Sequence, residues 1–112
     1  MLATTTLIKF LSIAKIECPD ITTVKLGGKR CGHDDLAPEY FHSYSDWDDG
    51  HDCLSFCEGK MKENEWEEAC CQAEKTSNKL VTRCMVRDKV DVVETPSSKS
   101  KAVKCKGILK HF

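Results

Sequence analysis

The clearest periodicity along this chain is helical. Cys53, Phe56, Cys57 and Met61 recur three and four residues apart and give one apolar face roughly two turns long. Ahead of them, Asp49-Gly50-His51-Asp52 offers an N-cap oxygen at Asp49 and a carboxylate at the third helical position, where it favours the helix dipole. Asn64 is a suitable end, so the pattern predicts a helix over about 50–63. Cys53 and Cys57, four residues apart, project side by side from its apolar face. Such a helix can be stapled twice to whatever it covers.

Beyond the helix the pattern turns to strands. Residues 66–74 hold Trp66, Cys70, Cys71 and Ala73, residues 80–87 are rich in β-branched side chains, and residues 90–94 alternate less cleanly. Asp88-Lys89 is placed to turn a hairpin between the last two, without the glycine of the strongest hairpin signals. Residues 95–100 are a loop by composition, and Ala102, Val103, Cys105 and Ile108 mark a final short strand. Upstream, residues 16–31 alternate loosely through Ile16, Cys18, Ile21, Val24 and Leu26 to a turn at Gly27-Gly28. Residues 32–49 read as a long irregular loop anchored on the core by Tyr40, Phe41, Tyr44 and Trp47. The expected fold class is α+β: a small disulfide-rich domain, with one main helix packed on an antiparallel β-sheet drawn mostly from residues 66–106.

Length and cysteine content sharpen this picture. The chain has 112 residues, enough for one domain. Its 40% hydrophobic content supports only a modest core at this size. No apolar stretch of about 18 residues occurs, so no transmembrane segment is expected. The eight cysteines are Cys18, Cys31, Cys53, Cys57, Cys70, Cys71, Cys84 and Cys105, an even number spread along nearly the whole chain. That distribution suits a disulfide framework made in an oxidising compartment. Zinc is the rival reading, but neither a repeated C-x-x-C nor an H-x₃₋₅-H pair is present to present ligands to one ion. No metal or cofactor is therefore expected. Residues 1–14 read either as a signal-peptide remnant, with small residues at Ser12 and Ala14, or as an N-terminal segment that packs as a strand. Residues 15–112 then form a single cysteine-rich domain.

Adjacent Cys70 and Cys71 on a strand must point to opposite faces. A helix with C-x-x-x-C, followed by a strand carrying Cys, a second carrying Cys and a late terminal Cys, resembles the PAN/apple module of extracellular proteins. The resemblance covers roughly residues 18–105. It implies a helix tied to a small antiparallel sheet by two disulfides, with a third clasping the ends. Carried onto this chain, it implies Cys57 with Cys70 or Cys71, Cys53 with Cys84, and Cys18 with Cys105. Cys31 takes whichever of Cys70 and Cys71 remains.

Charge adds a candidate surface. From Asp34 to Glu68 there are twelve acidic residues against Lys60 and Lys62, a local balance of −10. The C-terminal stretch carries Lys99, Lys101, Lys104, Lys106 and Lys110 with no acid, although the whole chain has a net charge of −1. The plain reading is a solvated face. The functional one makes these five lysines a contact strip for an anionic partner. Asp46, Asp48, Asp49 and Asp52 superficially resemble the start of a calcium loop. The pattern fails, because glycine falls at position 5 and Cys57 stands where a bidentate Glu is needed. Lys29-Arg30 reads as exposed turn charges or a dibasic processing site.

Catalytic motifs are missing: no G-x-S-x-G elbow, H-E-x-x-H helix or phosphate-binding glycine loop occurs. His33, His42, His51 and His111 do not make a catalytic pattern, and the basic strip lacks the interleaved aromatics of a nucleic-acid binder. No N-x-S/T sequon is present. The expectation is a secreted, non-enzymatic extracellular recognition module that binds a protein or an acidic glycan, with no nucleic-acid partner. The alternative is a diffusible secreted effector, toxin- or pheromone-like, acting on a receptor.

Overall fold

The computed structural model describes residues 11–32, 40–44, 49–76, 81–96 and 98–111. Seven strands and one α-helix are built from them. In chain order they are β1 (Leu11–Glu17), a short 3-10 turn (Ile21–Thr23), β2 (Lys29–Cys31), β3 (Tyr40–Tyr44) and α1 (His51–Asn64). Then follow β4 (Glu68–Lys75), β5 (Thr82–Asp88), β6 (Val92–Glu94) and β7 (Ser100–His111). The α+β class expected from the sequence is the observed one: one helix packs on antiparallel sheets, held by four disulfides.

The main sheet has five strands in the order β1-β7-β4-β5-β3, and every neighbouring pair is antiparallel. Register divides it into two faces. Ala69, Cys71 and Ala73 of β4 stand opposite Cys105, Val103 and Lys101 of β7, and Cys71 and Ala73 stand opposite Val86 and Cys84 of β5. This inner face is dominated by small side chains, over which Cys53, Cys57 and Met61 of α1 are fully buried together with Ile21. Small residues on the sheet let the helix come close enough for disulfides to span the gap. Cys53 joins Cys84 and Cys57 joins Cys71, with Cα separations of 5.1 and 5.9 Å. The helix is stapled to both β4 and β5.

Cys70 points the other way and joins Cys31 of β2. The choice that the sequence left open is thereby settled: Cys71 meets the helix and Cys70 meets β2. The fourth bridge, Cys18–Cys105, clasps the end of β1 to β7 across 87 residues of sequence. All eight cysteines are used. Over the outer face lies a two-stranded ribbon in which β2 pairs with β6. Cys31, Cys70 and Ala102, with Val90 and Val92 against them, make a small second core beneath it.

Several local expectations change. No hairpin joins β5 to β6: after Lys89, which takes a positive φ of 58°, the chain leaves the main sheet and β6 pairs with β2. Lys29-Arg30 lies within the β2 ladder, opposite Glu94 and Val93, and so is not a turn. The loop expected over 32–49 contains β3, an edge strand on β5. Asp49 is not the helix cap. Gly50 takes that position at φ 95°, with no side-chain cap bond, and Asp52 alone supplies the acidic first turn. Of the two readings of the N-terminal segment, the described residues 11–14 take the strand: they continue into 15–17 as β1, with Leu11, Ser12 and Ile13 opposite His111, Lys110 and Leu109 and Ala14 at a break in register.

Candidate functional site

The outer face of the sheet carries the side chains that alternate with those of the inner core. On β5 these are Arg83, Met85 and Arg87; on β4 they are Cys70, Gln72 and Glu74. The β2 strand crosses above them, drawn down by the Cys31–Cys70 bridge, and adds Arg30. Together these elements wall a pocket of about 210 Å³ lined by Arg30, Gln72, Glu74, Arg83, Met85 and Arg87, with Cys31 at its side. Three guanidinium groups thus share a small space with one carboxylate.

The walls are fixed by hydrogen bonds. Gln72 Oε1 accepts the backbone N–H of Cys31 at 2.9 Å. Arg87, only 6% exposed, donates from Nη1 to the Cys31 carbonyl at 3.3 Å. Arg30 Nη1 donates to the Gly32 carbonyl. Glu74 stands directly opposite Arg83, with Oε1 4.0 Å from Arg83 Nη1, and its Oε2 accepts from Ser100 Oγ at 3.2 Å. Planar guanidinium forks held this way match the two-oxygen edge of a carboxylate or sulfate. Chemically, the pocket offers charge-assisted donors on one side and a hydrogen-bond acceptor on the other.

The five C-terminal lysines do not form one strip. Strand alternation turns Lys101 to the inner face, where it is 4% exposed and its Nζ lies 3.8 Å from Asp49 Oδ1 and 3.4 Å from the Thr22 carbonyl oxygen. Lys104 and Lys106 are on the outer face. Lys104 Nζ donates to Asp91 Oδ1 at 2.7 Å and lies 3.3 Å from Glu68 Oε2. Hydrogen bonds to Asp91 and Glu68 hold the Lys104 ammonium above its ordinary pKa. The bond from Lys104 and its charge hold the Asp91 carboxyl below its own. Lys106 is exposed but flanked in register by Glu17 and Glu68. Lys99 is exposed at the turn before β7 and Lys110 is exposed near its far end.

No family model, no curated protein and no solved structure matches this chain. The site therefore has to be read from its own chemistry. Arg83, Arg87, Gln72 and Glu74 are not among the residues that the sequence pattern singles out, because the core residues of β4 and β5 dominate it. The signal was the other half of the alternation: Arg83, Met85 and Arg87 at period two beside Gln72 and Glu74 at the same period.

The other candidates that fall on described residues are engaged elsewhere. Cys57, Cys71 and Cys105 bring three sulfur atoms within 4.8 Å, but all three are in disulfides, which leaves no thiolate to hold a metal. Of the acidic quartet, Asp46 and Asp48 lie outside the described residues, as does His33. Asp49 faces the Lys101 ammonium, which does not suit a cation site. His51 is exposed at the first turn of α1. Among the described residues no helix is long and apolar enough to cross a membrane.

Proposed function

We propose that this protein is a secreted, non-enzymatic recognition module of the PAN/apple kind that binds an anionic group on an extracellular protein or glycan. The observation that carries the reading is the convergence of Arg30, Arg83 and Arg87 on one pocket against a single carboxylate, Glu74. Four disulfides suit an oxidising, extracellular setting. The alternative of a processed, diffusible effector gains nothing from Lys29-Arg30, since both residues are laddered in β2 and Arg30 lines the pocket.

The test is retention on an immobilised polyanion such as heparin. The double variant Arg30→Gln/Arg83→Gln is expected to elute at clearly lower salt than the wild type, since both guanidinium contacts are lost. Equal elution salt for the two proteins, each with four intact bridges, sinks the pocket as the contact site.

A further inference from the structure

We infer that the arginine pocket takes a single sugar unit that bears one negative group together with free hydroxyls, as the anionic residue of an acidic glycan. This rests on the recognition reading above and narrows its ligand. Size comes first. The cavity, about 210 Å³, is smaller than the ~300 Å³ at which pockets begin to enclose drug-sized ligands. It has room for one ring, and the rest of a chain must lie outside.

The lining then selects the chemistry. Arg83 and Arg87 stand four residues apart on the outer face of β5 and Arg30 lines the same pocket from β2, so a planar or tetrahedral oxyanion meets guanidinium N–H groups. Glu74 stands on the neighbouring strand opposite Arg83. An ionised carboxylate only accepts hydrogen bonds. It repels a bare anion that fills the pocket, such as an Asp or Glu side chain, which has no donor to offer it. A sugar hydroxyl does donate to it, and the ring's C–H face can rest on Met85. Gln72 is held by its Oε1 on Cys31, which leaves the amide nitrogen as its donor end for a ring or hydroxyl oxygen. An anion on the guanidinium groups and hydroxyls on Glu74 and Gln72 describe both a uronic acid and a singly sulfated sugar.

Calorimetric titration of the oxidised protein tests this with four probes: a uronic-acid trisaccharide, a singly sulfated trisaccharide, their neutral analogue and a poly-glutamate peptide. At least one charged trisaccharide is expected to bind about tenfold or more tighter than the neutral one, with the same loss in Arg83→Gln. Whichever charged sugar binds tighter identifies the anionic group. The sign of the Glu74→Gln effect is decisive. Weaker sugar binding supports a hydroxyl donating to Glu74, because an ionised acceptor is replaced by a neutral one. Tighter binding of every anion in Glu74→Gln, with poly-glutamate matching the sugars, overturns the sugar assignment and leaves anion recognition standing. Failure of all charged probes to bind removes the recognition reading itself.

Discussion

The side-chain oxygen of Gln72 accepts the backbone N–H of Cys31 at 2.9 Å, across 41 residues of sequence, beside the bridge from Cys31 to Cys70. A covalent bond and a hydrogen bond from β4 residues two apart, on the same face, therefore hold the same point of β2 above the sheet. The bridge fixes distance and the amide fixes orientation. Replacing Gln72 by Leu leaves a buried N–H without its acceptor and is expected to cost about 1–3 kcal/mol. Denaturation under non-reducing conditions measures it, and faster hydrogen exchange at the Cys31 amide shows where the loss falls. Unchanged exchange there means that the bond is absent in solution.

Lys101 should behave as a core residue and not as a binding one. It is 4% exposed and faces Asp49 and the Thr22 carbonyl. Lys101→Ala is expected to lower stability by roughly 1–3 kcal/mol through lost stem packing and the unpaired carbonyl. Lys101→Met keeps the stem and is expected to cost less. Neither is expected to change polyanion retention. A lowered elution salt for folded Lys101→Met would return this lysine to the contact surface.

Gly50 caps α1 with φ at 95°, and a Cβ added there would stand 2.9 Å from Ile21 Cγ2. The left-handed conformation alone costs an L-residue about 1–2 kcal/mol. Gly50→Ala is therefore expected to lose at least that much stability, and thermal unfolding would show it. A neutral result would mean that the cap relaxes away from the Ile21 turn.

The Lys104–Asp91 pair sets a pH window. The Asp91 carboxyl is held below 3.8, its ordinary value, so its stabilisation is complete above 3.8 and is lost as pH falls through the lowered value. Lys104 is held above 10.5, so its stabilisation is complete below 10.5 and is lost as pH rises through the raised value. Between these limits the pair's contribution is flat. In Lys104→Met the Asp91 carboxyl is expected to titrate closer to 3.8, as followed by carbon NMR. An Asp91 titration identical in the two proteins would show that the pair does not persist in solution.

Native protein is expected to take up no alkylating label, and eight labels after reduction under denaturing conditions, since every cysteine is bridged. A chelator should leave the fold intact while a dithiol reductant unfolds it. Label entering Cys57, Cys71 and Cys105 before reduction would point to thiols, and to a metal held by the sulfur cluster.

What the sequence disclosed was local. The face formed by Cys53, Cys57 and Met61 announced the helix because all three share one buried neighbour, the inner sheet. The opposed directions of Cys70 and Cys71 followed from strand geometry. The partner of β6 was hidden: strands 92–94 and 29–31 are three residues each, too short to carry an alternation, and only their contacts place them. The lysines misled for a related reason. A run of charge along a strand looks continuous in sequence, yet successive side chains leave on opposite faces, and Lys101 went inward. The floor of the pocket stood in the alternation of β4 and β5, but its closure did not, because Arg30 and Arg83 converge from segments 53 residues apart in numbering, brought together by the Cys31–Cys70 bridge.

The order of the bridges along the chain has a consequence for damage. Because Cys18 is tied to Cys105, a single peptide bond broken anywhere between them leaves one covalent molecule. A cut between Cys31 and Cys53 is additionally spanned by Cys31–Cys70, and one between Cys71 and Cys84 by Cys53–Cys84. A nick in either interval releases no fragment. A cut after Arg30 is different, since only Cys18–Cys105 then keeps the first thirty residues attached. Survival among proteases is thus written into the wiring of the chain, and it is strongest between Cys57 and Cys70, where all four bridges span a cut.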